Sequence, residues 1–256
     1  MGTIVVTGGT GTLGSLVAER LRAGGHDVRV LSRHAPDHPV DLRDGSGLDA
    51  ALSGAAVIVH CASNTRGAGK GDDMAAGNLI EASRRAGTVA NIVYISIVGV
   101  DAVPLGYYKR KLRVERLLEA SGLGVTILRT TQFHDLVAMV ADTAAKLPVA
   151  PIPKGVSVQP IAVGEVAARL AELAVPTPSG RVPDMGGPQI RSLPDLARVY
   201  LRATGRTRRV LPLPLAGRTY AAFRRGGHLA PTHAVGHETF EQFAARRGHG
   251  GAGTKA

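Results

Sequence analysis

The chain has 256 residues, of which 44% are apolar, and a formal net charge of +11. That apolar share is enough for a sizeable core, which excludes a chain disordered along most of its length. A single cysteine, Cys61, excludes an internal disulfide framework and a cysteine-based structural zinc site. The N-terminus shows no charged segment leading into an apolar core, and no apolar run approaches membrane-spanning length. The expectation is therefore an intracellular, soluble, cytoplasmic protein with no membrane partner. The arginines are scattered in pairs such as Arg84-Arg85 and Arg208-Arg209, without interleaved aromatic residues. We read them as solvated faces, not as a nucleic-acid surface.

Strand candidates are Thr3–Thr7, Asp27–Leu31, Val40–Leu42, Val57–His60, Asn91–Ser96 and Val125–Leu128. Helix candidates between and after them are Gly11–Ala23, Gly47–Leu52, Met74–Ala86, Tyr107–Ala120 and Phe133–Leu147. In the first helix Leu13, Leu16, Val17 and Leu21 share one face. The strands are near-continuous apolar runs, as expected where helices cover both faces of a sheet. This alternation predicts an α/β fold with a doubly wound parallel sheet, a Rossmann fold. It occupies residues 1–148.

After Ala150 the stretch "PVAPIPKGVSVQPIAV" reads as loop, and a helix follows near residues 163–174. Ser192 and Asp195 predict a capping box for a helix ending at Ala203, and "RRVLPLPLAG" predicts an edge strand. Residues 149–246 are expected to form a small, partly interleaved substrate-binding lobe, with the 163–174 helix packing back on the Rossmann core. Residues 247–256 are expected to be a disordered tail.

Between the first strand and helix lies Gly8-x-x-Gly11-x-x-Gly14. Gly8 permits a tight turn, Gly11 lets a pyrophosphate approach the helix N-terminus, and Gly14 lets helix and strand pack closely. Backbone N–H groups and the helix dipole favour an anion there. At the end of the second strand Ser32 and Arg33 stand where an NAD site places an acid. A guanidinium suits a 2′-phosphate, so NADP(H) is preferred and NAD(H) remains possible; the plainer reading leaves Arg33 in solvent.

Tyr107 and Lys111, four apart, share a helix face. An ammonium beside the phenol would lower the phenol pKa and equip it to protonate a carbonyl. Tyr108 is also within reach of Lys111. Ser96 ends a strand, where its hydroxyl meets a substrate carbonyl or caps the strand.

"TGGTGTLG" resembles the TGxxGxxG motif of short-chain dehydrogenases/reductases. "VIVHCAS" and "VYISIVGV" look like that superfamily's fourth and fifth strands, and "YYKRKLRVE" like its active-site helix. "VTILRTTQF" resembles the sixth strand and following loop of NmrA-like atypical members. The resemblance, which spans most of the chain, implies cofactor contacts from Gly8, Thr10, Gly11, Thr12, Leu13 and Gly14. It implies more from Ser32, Arg33, Cys61, Ala62, Ser63, Lys111 and Thr130, and from Asp41 and Leu42 at the adenine, although Asp41 also fits a turn carboxylate. A catalytic set of Tyr107, Lys111 and Ser96 is implied too. It departs from extended members at Ile97 and Val98, where those carry hydroxyls, and at Thr130-Thr131, where related proteins carry proline. Phe133, His134, Met139 and Gln159 are expected at the substrate pocket, Phe133 alternatively in the core. No metal site is expected.

These readings point to an NADP(H)-dependent reductase of a small ketone, enone or quinone. A dinucleotide-binding redox sensor and a cofactor-retaining isomerase or epimerase are the alternatives.

Overall fold

The computed structural model describes residues 2–250 and divides the chain into two compact units. The first comprises Met1–Asp101, Leu105–Arg129 and Gly164–Pro183. Its elements run β1 (Thr3–Thr7), α1 (Thr12–Ala23), β2 (Val28–Leu31), α2 (Leu48–Leu52), β3 (Ala55–His60) and α3 (Asp72–Ala86). They continue with β4 (Asn91–Ile97), α4 (Gly106–Glu119), β5 (Val125–Thr130), then α6 (Val163–Leu173) and β8 (Gly180–Arg181). In the second unit lie α5 (His134–Ala144), β6 (Val149–Pro153), β7 (Ser157–Val158), β9 (Arg191–Ser192) and α7 (Leu193–Ala203). It ends with β10 (Arg209–Leu213), α8 (Arg218–Arg224) and α9 (Phe240–Gly250).

Six strands form the parallel sheet of a Rossmann fold, in the order β2-β1-β3-β4-β5-β8. The chain leaves β1 for β2 on one side and returns for β3 on the other, so β1 and β3 flank a topological switch point. In such sheets the crevice beyond the strand ends at that point receives the ligand. Val5, Ile58, Ile92 and Ile127 bury one sheet face against Leu48, Leu79 and Leu118 of α2, α3 and α4. Burying each of these side chains is worth about 1.5–3 kcal/mol. Ile4 and Val6 point the opposite way and are as fully enclosed.

The expected strand Val40–Leu42 does not form. One parallel bridge joins Ser32 to Pro39, after which the Asp41 carboxylate accepts from the backbone N–H of Arg43 at 3.0 Å and turns the chain. Val40 and Leu42 still enter the core. The apolar spacing was satisfied by burial alone, because the side-chain turn outcompeted a ladder.

In the second unit α5, α7 and α9 bury Val137, Ala141, Leu196, Tyr200 and Phe243 around Ile152 of β6. The border expected after residue 148 falls instead after Arg129, since α5 packs on α7 and α9. The Pro-rich segment read as loop contains β6, which pairs in parallel with β10. Prolines fit there because each strand has only one partner. Ser192 caps α7 as anticipated, accepting from the Asp195 N–H at 3.2 Å. Residues 247–250, expected in a disordered tail, lie in α9, whose start buries Phe240 and Phe243. The rest of that tail, 251–256, lies outside the described residues. No helix among the described residues is long and apolar enough to cross a membrane.

Candidate active site

The turn after β1 is the most constrained part of the site. Gly8 has φ +65°, and a Cβ on it would stand 2.8 Å from both the Cα and the backbone nitrogen of Ala62, just past β3. Gly14 faces the same turn, where a Cβ would sit 2.3 Å from the Gly8 oxygen. Gly11 differs: a Cβ there would meet only that oxygen, at 3.2 Å, and otherwise point into open space. It is the N-cap of α1, with no side-chain cap and no acidic residue in the first turn. Thr10, Gly11 and Thr12 are exposed, whereas Leu13 is buried. An uncapped helix start with glycine at its N-cap, at a switch point, fits a dinucleotide diphosphate.

At the end of β2 the Ser32 hydroxyl accepts from the His34 N–H at 3.2 Å. Arg33 is exposed. Asp41 is occupied otherwise: its carboxylate pairs with Arg43 at 2.8 Å, and hydrogen bonding to Arg43 pulls its pKa down to about 2. This is the turn carboxylate, and Leu42 is core.

Past β3 the chain runs through half-buried Cys61, Ala62 and Ser63. Burial pushes the Cys61 thiol up to about 12, so it stays protonated. Ser63 donates to a carboxylate oxygen of Asp72 at 2.6 Å, and its Oγ lies 3.1 Å from the Tyr107 hydroxyl. The other Asp72 oxygen accepts from the Asn64 N–H at 2.9 Å. Residues 64–71 fold tightly over this group: Asn64 accepts from Gly67, Ala68 has φ +51°, and Arg110 of α4 donates to the Ala68 carbonyl at 2.8 Å. A Cβ on Gly69 would come 3.0 Å from the Tyr107 ring. Asp72 carries no motif signature, and only its place in the first turn of α3 sets it apart in the sequence.

Lys111 lies one turn beyond Tyr107 on α4, yet its ammonium points inward. It donates to the Ile95 carbonyl at 2.7 Å and sits 4.3 Å above the Tyr94 ring. His60, bonded to the Thr7 hydroxyl at 2.7 Å, stacks on the same ring. Burial lowers Lys111 to about 8 and His60 to about 3. Burial also raises the Tyr107 phenol above its ordinary value, with Ser63 pulling it down and Asp72 pushing it up. The expectation that Lys111 lowers the Tyr107 pKa is thus corrected: desolvation governs the phenol, and the ammonium is spent on a carbonyl and a ring. Tyr108, the other candidate partner, is buried. Ser96 is 1% exposed, and its hydroxyl has no partner among the described residues.

The remaining candidates belong to the second unit. Thr130 is buried at the end of β5. His134 is core: its Nε2 bonds the Glu238 carbonyl at 3.1 Å and its ring packs on Phe240 and Phe243. Gln159 is fully enclosed, donating to the Gly187 and Ala230 carbonyls and accepting from the Ala230 N–H. Met139 is 56% exposed and Phe133 half-buried. His134 and Gln159 therefore hold the unit together; buried polar groups must find partners, and theirs are backbone.

A family model described as NAD(P)H-binding matches residues 8–173. An uncharacterized protein of Mycobacterium tuberculosis is 39% identical over 67 residues, and that match covers 23% of this chain but only 8% of the relative. The NADPH-dependent quinone oxidoreductase of Escherichia coli, solved with NADPH, is similar in structure, with a TM-score of 0.76 at 20% identity over 95% of this chain and 99% of that one. A nucleoside-diphosphate-sugar epimerase from Staphylococcus aureus has a TM-score of 0.76 at 19% identity, covering 95% and 99%. The UDP-glucose 4-epimerase of Thermus thermophilus, solved with NAD, has a TM-score of 0.72 at 20% identity, covering 97% and 99%.

Proposed function

This chain belongs to the NAD(P)H-binding family, and we propose that it is an NADP(H)-dependent oxidoreductase of the atypical short-chain type, acting on a small ketone, enone or quinone. The observation that carries this reading is the Gly8–Gly14 turn, which sets an uncapped helix start with glycine at its N-cap at the switch point. Bound NADP(H) supplies or accepts the hydride. Backbone N–H groups at the start of α1 hold the diphosphate, and the exposed Arg33 guanidinium holds the 2′-phosphate.

Tyr107 supplies the proton. Its raised pKa keeps it a neutral acid at physiological pH, able to protonate the carbonyl oxygen. Lys111 acts from below: its hydrogen bond to Ile95 fixes the start of α4 against β4, and so fixes where Tyr107 stands.

Calorimetric titration with NADPH and NADH, then a quinone and carbonyl panel followed by nicotinamide absorbance, tests this reading. Quinones head the panel because of the Escherichia coli protein. We expect NADPH to bind more tightly and to be consumed in step with substrate. No heat with either nucleotide ends the proposal.

A second reading is favoured by one observation, the engagement of the Lys111 ammonium within the protein. It is a dinucleotide-binding redox sensor without turnover. It predicts nucleotide binding, no consumption on the panel, and no functional loss in Tyr107→Phe.

A further inference from the structure

We propose that Asp72 and Ser63 form a proton relay to Tyr107, connecting the phenol with the start of α3. This rests on the reading of Tyr107 as the proton donor. Ser63 has one hydroxyl hydrogen, and the 2.6 Å bond commits it to the Asp72 carboxylate. Across the 3.1 Å contact the Tyr107 hydroxyl is therefore the donor and Ser63 the acceptor. The direction is continuous: Tyr107 to Ser63 to Asp72. Asp72 is held in place by the Asn64 N–H and by its own N–H bond to the Gly69 carbonyl at 3.0 Å. The ring of Tyr107 lies beside Gly69, where a Cβ would come within 3.0 Å of it, and Arg110 clamps the loop at Ala68.

As found, the chain of bonds is set for alcohol oxidation. The substrate hydroxyl gives its proton to Tyr107 oxygen, Tyr107 gives its own to Ser63, and Ser63 gives its own to Asp72, which releases it to water. With NADP+ bound, the carbinol hydrogen would depart to it with the C–H bonding pair, leaving a carbonyl. Reduction by NADPH runs every transfer in reverse, with water recharging Asp72. Asp72 and Ser63 are positioning residues in this scheme, since each acts through Tyr107. The titratable groups that act on the phenol are Asp72 on α3 and Tyr94 on β4, while the Lys111 ammonium, one turn along α4, is turned to the Ile95 carbonyl and the Tyr94 ring.

The test begins with the full chain free of nucleotide. Ionisation of Tyr107 is read from phenolate absorbance as the difference between each protein and its Tyr107→Phe counterpart. Asp72→Asn should lower the Tyr107 pKa by removing a neighbouring anion, and the amide keeps an acceptor for Asn64. Once Tyr107 has ionised, the Ser63 hydroxyl turns from Asp72 to donate to the phenolate, so Ser63→Ala should raise the Tyr107 pKa and Ser63→Thr should leave it near the wild-type value. With NADPH and the best substrate of the panel, Asp72→Asn and Ser63→Ala should lose about 10- to 100-fold in turnover at unchanged NADPH affinity. Shifts of the same sign in both variants, no shift in either, or unchanged turnover would overturn the relay. Should the wild type consume no NADPH, the reductase reading fails and the relay with it, whatever the titration gives. Loss of the titration shifts alone removes the relay and leaves the reductase reading standing.

Discussion

Tyr107 and Lys111 occupy the same face of α4, one turn apart, and their polar ends part company. The phenol oxygen lies 3.1 Å from Ser63, while the ammonium donates 2.7 Å away to the Ile95 carbonyl. A spacing that brings two side chains to one face does not decide where a flexible four-carbon stem ends. Here the amine is drawn to a carbonyl near the C-terminal end of β4 and to the face of Tyr94.

Burying that amine makes stability depend on pH in an alkaline window. The folded pKa is about 8 against 10.5 for the free side chain, so between those values the unfolded chain holds a proton that the folded chain has released. Stability therefore rises with pH across this window, and the desolvation penalty is fully present below it. Urea denaturation of wild type and Lys111→Met from pH 8 to 10.5 should show a more positive slope in the wild type, since Cys61 and the buried tyrosines, whose pKa values are raised, pull stability down with pH equally in both; equal slopes would place the amine in solvent.

The three glycines of the first turn should separate binding from folding. Gly14→Ala drives a Cβ into the Gly8 carbonyl and should cost about 1–3 kcal/mol of stability. Gly11→Ala meets nothing closer than 3.2 Å and should fold normally, yet bind NADPH much more weakly because the methyl stands where the diphosphate must come. Thermal melts and calorimetry on the two variants check this; tight binding by folded Gly11→Ala refutes the cradle.

Arg33 is exposed at the end of β2. Arg33→Glu should weaken NADPH by about 10- to 100-fold and leave NADH nearly unchanged, since a charge-assisted bond to phosphate is worth about 1.5–3 kcal/mol. Equal losses for the two nucleotides would remove Arg33 from the 2′-phosphate.

Arg129, 5% exposed, binds Glu115 through two bonds of 2.9 and 2.6 Å and reaches Asp101 at 2.8 Å. Glu115→Gln removes the buried carboxylate and leaves the Arg129 charge only the half-exposed Asp101, so it should cost about 1–3 kcal/mol in chemical denaturation. The loss should appear with and without nucleotide, marking a role in the fold and not in the chemistry.

Much of the nucleotide-binding half was legible because its signals are local. The Gly8-x-x-Gly11-x-x-Gly14 spacing, the apolar face of α1 and the alternation of short apolar runs with helical patterns each act within a few residues of themselves. The α7 cap at Ser192 belongs with them. The edge of the sheet was misread at Val40–Leu42 because burial, which the pattern does encode, was taken to require a strand. Asp41 shows why it did not: its carboxylate closes a turn with Arg43.

Periodicity and glycine placement dictate backbone geometry without reference to distant residues, so a parallel sheet with a glycine N-cap at its first crossover could be read from the chain alone. Only the tertiary structure decided what the polar side chains do. Ser63, Asp72 and Tyr107 meet across separations of 9 and 44 residues, and His134 and Gln159 turn to backbone groups inside their own unit. Hydrogen-bond partners and desolvation are properties of the packed interior, where an unpaired polar atom is costly and long-range neighbours settle each bond.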